Sequence, residues 1–401
     1  MMIFLIVFKS LRQHALSTWI TACSIALAGG LLMSVWMVKA QSQQTFTQVT
    51  GGFDAVLGAR GSELQLVLNA VFHLEASPGN MDWQDYLDIK NDPSVGLAAP
   101  IAVGDNYLGY RLVGTLPELF EKAEYATGKK YQVVSPGRLF DPTLREAVVG
   151  SFVAQRLGLK RGDQFHPYHG LTFNEKEQHA ETYVVVGVLE PSNTPADRVI
   201  WIPLEGLQKM GGHTAASSTQ VSAVLVRFNS PIAGKMVQLR YNKQGNRLTL
   251  AWPIGTIMAQ LFDKIGWFDR VLALVAWLVA LVATGSVLAS IYNSMNERRR
   301  EIAILRSLGA QRTTILGAVV LEAAAIGTIG MILGFAVYAM ILSGVAGVIR
   351  AQTGVVINPL AFHPVLLWAP AGMIGLSALA GLVPGLKAYR TDVAEHLLPS
   401  S

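Results

Sequence analysis

Apolar positions gather into four long runs, at residues 19–38, 271–291, 315–348 and 364–386, while the intervening chain mixes polar and apolar residues at shorter periods. About 20 helical residues cross a hydrocarbon core of ~30 Å, so each run predicts a spanning helix. The fold class is therefore a membrane protein with four transmembrane α-helices and a large mixed α/β extracytoplasmic domain inserted between the first and second spans. The expected division is an interfacial helix at 1–18, a first span at 19–39 and an α/β domain with stalk helices at 40–266. A second span at 267–294, a loop helix at 295–313 and a third span at 314–348 follow. An outer loop at 349–363, a fourth span at 364–386 and a tail at 387–401 complete the chain.

Within the inserted domain, β-branched runs bounded by Gly, Pro or Asn predict strands at 181–189, 199–202, 222–228 and 247–251. Helices are expected at 81–90, 143–157 and 204–209. The polar stretch 41–50 lacks proline, and in 253–266 the residues Ile257, Met258, Leu261, Phe262 and Ile265 recur at helical spacing. Both segments predict stalks that continue the first two spans outward. The apolar, glycine-bearing segment 51–77 reads as domain core, with an interfacial or substrate-contacting role as its functional alternative.

Composition agrees with a membrane class: 51% hydrophobic residues, 15% charged residues and a mean hydropathy of +0.37 exclude an ordinary soluble protein. The net charge of +5 changes the picture once it is located. Residues 40–266 hold 20 Lys and Arg against 21 Asp and Glu, so the surplus lies in the membrane part. There Lys9, Arg12, Arg298, Arg299, Arg300, Arg306, Arg312, Lys387 and Arg390 share one side if the spans alternate. By the positive-inside rule that side is cytoplasmic, which puts both termini inside and the α/β domain outside. The charge thus reports orientation and not nucleic-acid binding. The lone Cys23 excludes an intramolecular disulfide. The first run is longer than the roughly 7 to 15 residues of a signal-peptide core, so it is expected to remain as a span.

Chemistry-bearing motifs are few. No GxxxxGK[ST] loop, GxSxG elbow, HExxH helix or CxxC pair occurs, so the chain is not expected to be an enzyme or to bind a cofactor. His166, His169 and His179 are a weak metal candidate; their plain reading is loop histidines, because zinc favours four ligands and the domain has no cysteine. Glu322 lies inside the third apolar run, where a carboxylate is costly and needs a partner or a snorkelling position near the inner interface. Gly330 with Gly334, Gly381 with Gly385, Ala276 with Ala280, and Ala371 with Gly375 have the small-residue spacing of packed spans.

The loop at 295–313 is dense in charge and also carries an apolar edge, Ile304, Leu305 and Leu308, with Arg299 and Arg306 opposite and Gly309 placed to stop the helix. A merely solvated loop would not need that edge. The residues Glu297, Arg298, Arg300, Glu301, Ile302, Leu305, Arg306, Leu308, Gly309 and Ala310 closely resemble the motif ERxREIAILRxLGA of the ABC-transporter permease family that includes FtsX, MacB and the LolC and LolE subunits. Glu322 and the glycines after it resemble that family's third span, and residues 381–397 resemble its ending, with Val393 where a proline is usual. Residues 145–163 and 184–189 resemble the outer domain of its MacB group.

The resemblance implies a permease subunit in the bacterial inner membrane, with its α/β domain in the periplasm. It would transmit the motion of a separate ABC ATPase, which uses ATP and Mg, to that domain for export or membrane extraction of a substrate. Glu297, Arg298, Arg299, Arg300, Glu301, Ile302, Ile304, Leu305, Arg306, Leu308 and Gly309 would form the ATPase-coupling element. Further implied partners are a second permease copy, as homodimer or homologous heterodimer, membrane lipid, and a periplasmic adaptor or lipoprotein. The alternative is a non-transport, FtsX-like scaffold that activates a periplasmic partner such as a cell-wall hydrolase. Lipoprotein release and drug, peptide or lipid efflux both fit the transport reading.

Overall fold

The structure is a computed structural model that describes residues 2–211, 219–307, 309–358 and 361–390. Along the chain come α1 (Met2–Gln13), α2 (Ala15–Gln48), β1 (Ala55–Ala59), α3 (Glu63–Ala70), β2 (Met81–Asp82) and α4 (Trp83–Lys90). Next are β3 (Val95–Tyr107), β4 (Tyr110–Thr115), α5 (Glu118–Lys122), β5 (Glu124–Ala126), β6 (Lys129–Lys130), β7 (Glu146–Val149) and α6 (Ser151–Leu157). They are followed by β8 (Gln164–Phe165), β9 (Tyr168–His169), β10 (Tyr183–Val188), β11 (Ile200–Pro203), α7 (Leu204–Gln208), β12 (Gln220–Val221) and β13 (Ala223–Phe228). The last elements are α8 (Pro231–Leu239), β14 (Leu248–Ala251), α9 (Ile254–Glu297), α10 (Arg299–Ser307), α11 (Arg312–Thr353) and α12 (Val365–Arg390).

Two compact units result. One comprises residues 1–41, 266–347 and 358–401; the other comprises 42–265 and 348–357. Four helices, α2, α9, α11 and α12, are long and apolar enough to cross a membrane among the described residues. The 44 residues of α9 rise about 66 Å at ~1.5 Å each, twice the hydrocarbon thickness, so much of the helix must leave lipid. The same holds for the 42 residues of α11 and the 34 of α2, and it is why the boundary between units falls inside all three. The expected stalks are these extensions: α2 runs on to Gln48, and α9 starts at Ile254.

In the membrane unit, α2 packs along α11 where glycines let backbones approach. A Cβ at Gly330 would lie 2.7 Å from Ile25 Cβ, and one at Gly30 would lie 2.7 Å from Val337 Cγ1. Gly381 and Gly385 do the same between α12 and α11, against Ala323 and Leu316, and Gly334 faces Ala26. With no hydrophobic driving force between helices in lipid, such close approach supplies the packing energy. Ala276 and Ala280 are buried on α9, whereas Ala371 and Gly375 are exposed on α12. Polar contacts run down α2 and α9: Lys39 to Asp269 at 3.4 Å, Ser17 to Ser290 at 2.8 Å, and His14 to Glu297 at 3.3 Å.

The other unit is built on a ten-stranded sheet ordered β14-β1-β13-β3-β4-β11-β7-β10-β8, with β9 paired to β3. Strand alternation feeds two cores. In β13, Ala223 and Leu225 join one cluster with Val56, Leu66, Phe72 and Trp201, while Val224 and Val226 join the other with Leu57, Ile89, Ile202 and Leu250. Both faces are covered, which explains why its strands read as continuous apolar runs. The segment 51–77 supplies β1 and α3, with Val56, Leu57, Leu66 and Val67 fully buried. The expected helix at 143–157 is instead a strand and a shorter helix. Ala147, Val148 and Val149 fill the sheet as β7, Gly150 serves as N-cap, and only Ser151–Leu157 is helical. The extensions close the first face: Phe46 meets Phe72 at 5.2 Å and Phe262 at 5.9 Å, and Val355, after α11, is buried there.

His73 is buried in this unit at φ 55°, its ring edge-on to Trp201 at 5.8 Å. Burial, and then the nearby Arg111 and Arg198, lower its pKa to about 3. The unfolded chain takes up this proton near pH 6.5 and the folded chain does not, so stability falls as pH drops through that window towards 3. The expected slope is at most about 1.4 kcal/mol per pH unit. Thermal unfolding of the detergent-solubilised protein from pH 7 to 4 should show it. His73→Asn, which tolerates positive φ, should flatten the slope; an unchanged slope would assign the acid sensitivity elsewhere.

Candidate coupling site

α10 is a nine-residue helix between the two longest spans. Its start is fixed by Arg298, which occupies the turn after α9 and is 13% exposed at its side chain. The Arg298 guanidinium donates to Ser10 Oγ at 2.5 Å and, through Nε, to Glu301 Oε2 at 3.2 Å. It also stands 3.6 Å from Glu322 Oε2, while Ser10 Oγ donates to Glu322 Oε1. The intramembrane acid is thus partnered by α1 and by the turn that launches α10. This answers the desolvation cost that its position poses.

The far end of α10 is closed by Gly309 at φ 98°. Its N–H donates to Arg306 O at 3.0 Å, and the Ala310 N–H donates to Leu305 O at 3.0 Å, the paired bonds of a Schellman stop. Between these ends the helix has two faces. Ala303 is buried, and Ile302 and Leu305 line a cavity of about 40 Å³ with Ile6, Arg298, Ile315 and Glu322. Arg300, Glu301, Ile304 and Ser307 are exposed, Ile304 at 43%. Glu297, beside His14, is also exposed, and Arg306 is half-buried.

This divides the apolar edge expected from the sequence. At about 100° per residue Ile304 stands roughly 200° from Ile302, so it points outward when Ile302 and Leu305 point in. Leu308 lies outside the described residues, as do the Arg299 side chain and the tail beyond Arg390, including Val393. Sequence reasoning missed Ser10, which no motif marks; its signal was a hydroxyl on the apolar helix α1.

In the α/β unit, His169 and His179 come together, their ring centroids 5.4 Å apart. His166 is not in the group; the third member is Asp105 of β3. An acid 60 residues or more away in sequence carries no spacing signal.

The Arg298–Glu322 pair makes a direct prediction. Arg298→Ala should leave a buried carboxylate unpaired and destabilise by about 3–5 kcal/mol. Adding Glu322→Gln should recover more than half of the lost thermal midpoint. Additive losses in this double-mutant cycle, measured in detergent, would show that the two groups do not interact.

Comparison with known families follows this geometry. The MacB-like periplasmic core domain family matches residues 18–240, and the FtsX-like permease C-terminal family matches residues 273–393. No curated protein matches the chain. Among solved structures it is similar to the extracellular domain of the noncanonic ABC-type transporter YknZ from Gram-positive bacteria. That likeness has 17% identity over 49% of this chain and 99% of that one, with a TM-score of 0.31. It is also similar to the periplasmic region of MacB from Actinobacillus actinomycetemcomitans, with 11% identity over 54% of this chain and 94% of that one, and a TM-score of 0.35. Since the first family match takes in more than half of its residues, the chain belongs to the FtsX/MacB family of ABC-transporter permeases, membrane proteins with an extracytoplasmic domain that work with an ABC ATPase and assemble as dimers.

Proposed function

We propose that this chain is the subunit through which a separate cytoplasmic ATPase moves the extracytoplasmic domain, driving export or membrane extraction of a substrate. The observation that carries the reading is the two-faced α10. Its inner face is tied to α1 and α11 through Arg298, Ser10 and Glu322, and its outer face offers Arg300, Glu301, Ile304 and Ser307. A helix held this way cannot swivel freely, so a push on the outer face passes into the spans. α2, α9 and α11 each contribute residues to both units, so each is a route by which a push on α10 could reach the α/β domain.

In this reading the positive-inside bias puts α10 on the cytoplasmic side of the bacterial inner membrane. ATP and Mg act in the partner, for which these 401 residues carry no phosphate loop. A second permease copy, identical or homologous, completes the pair of ATPase docking points. The substrate is engaged from the outer leaflet or beyond.

Arg300→Glu and Ile304→Glu test the docking face, since both side chains are exposed and their replacement leaves the core intact. Each variant should keep its thermal midpoint and lose at least about tenfold in ATPase retained on co-purification, because a buried interfacial charge or apolar anchor is worth roughly 2 kcal/mol or more. Permease-stimulated ATP hydrolysis should fall in parallel. Unchanged association and hydrolysis would remove α10 from the coupling path.

A further inference from the structure

We propose that Asp105, His169 and His179 form a binding site for a divalent transition cation of the zinc class in the extracytoplasmic domain. The three residues come from two strands and a loop. Asp105 stands directly opposite His169 in the β3–β9 pairing, and His179 follows the bridge between Tyr168 and Gln178. Their ligand atoms all lie within 4.8 Å of one another.

The distances admit a metal as well as a hydrogen bond. His179 Nε2 is 3.3 Å, and His169 Nδ1 3.4 Å, from the same oxygen, Asp105 Oδ1. Both are long for an N–H to oxygen bond, whose usual range is about 2.7–3.2 Å. They match the edge of a tetrahedron around zinc, about 3.3 Å for metal–ligand bonds of about 2.0–2.1 Å. The donor set fits as well, since imidazole and carboxylate together suit zinc and its neighbours.

The site is also built rather than accidental. Asp105 is fully buried, in a stretch where the β3–β4 register shifts between Val103 and Asn106, a bulge that re-aims side chains. Next to it Asn106 Nδ2 donates to Gly170 O at 2.9 Å and Thr172 O at 3.2 Å, which fixes the loop after His169. The His179 N–H donates to Pro167 O at 2.9 Å. His179 is buried and His169 is 49% exposed at its side chain, so a fourth position reaches solvent beside His169 and takes water. A cation there would staple the loop at 166–180 to β3.

The test uses the full-length protein in detergent, purified without a histidine tag and stripped with chelator. Zinc is titrated in competition with a chromogenic chelator, and cobalt is added as a spectroscopic substitute. The expected result is one zinc per chain, visible cobalt bands of a four-coordinate site, and a raised thermal midpoint with zinc. His169→Ala and His179→Gln should each weaken binding at least tenfold and abolish the thermal shift, whereas His166→Ala should change neither. His169→Ala alters a half-exposed side chain, so it keeps the test decisive if His179→Gln does not fold. Failure to bind zinc stoichiometrically, or affinity unchanged in His169→Ala, would overturn the site and leave a hydrogen-bonded Asp–His cluster.

Discussion

A carboxylate inside an apolar helix must find a partner, and the arrangement of the membrane unit around α10 follows from that need. Glu322 is met by Ser10 and Arg298, residues separated from it by 312 and 24 positions. Satisfying one buried charge therefore fixes three elements at once: the amphipathic α1, the turn after α9, and the start of α11. Had Glu322 been leucine, Arg298 would be a solvated loop residue and α10 could turn about its axis. The ion pair itself adds little net stability after desolvation. Its contribution is orientation, because it decides which side of α10 faces the spans and which remains for a partner.

Helix length imposes the second constraint. A helix of about 20 residues would end at the membrane surface, and its neighbour beyond could move independently. Here α2, α9 and α11 exceed a core of ~30 Å by roughly two-fifths to a little over half of their length, and the excess is apolar enough to be used. Phe46, Ile257, Met258 and Val355 are part of the same core as Leu66 and Trp201. These extensions are thereby held within the α/β unit by core packing, where removal of a large side chain costs about 2–5 kcal/mol. Glycines at 330, 381 and 385 serve the complementary purpose inside the membrane unit, giving tight contacts where burial from water supplies no force.

How much of this was legible in the sequence depends on which physical signal each part leaves. The spans were plain because length and hydropathy suffice. Strands such as Tyr183–Val188 and Ala223–Phe228 were equally plain, as β-branched runs between breakers. The central strand Val95–Tyr107 left no such signal, since it contains Gly96, Pro100, Gly104, Asp105 and Asn106. Tertiary context overrides several of these: Pro100 lies just where pairing with β4 ends at Ile101 and Thr115, and Gly104 and Asp105 occupy a bulge between the paired Val103 and Asn106. At 143–157 the helical period was real only after Gly150, because the three preceding apolar residues, Ala147, Val148 and Val149, suit a buried strand as well as a helix. Of the coupling motif, the residues were legible but their facing was not. A helical wheel gives relative angles, and only Ser10 and Glu322 say which angle is inward.

Two of the polar clusters among the described residues show the same logic applied in different surroundings. Arg298 and Glu322 sit where lipid and protein exclude water, so the partner had to be a fixed cation of the chain itself. Asp105 is as deeply buried, yet its neighbours are imidazoles, one of them half exposed. A guanidinium keeps its charge at any ordinary pH, so it satisfies a carboxylate permanently. The membrane cluster is thus closed by a fixed charge of the chain itself, whereas the cluster in the α/β unit combines a buried carboxylate with one buried and one half-exposed imidazole.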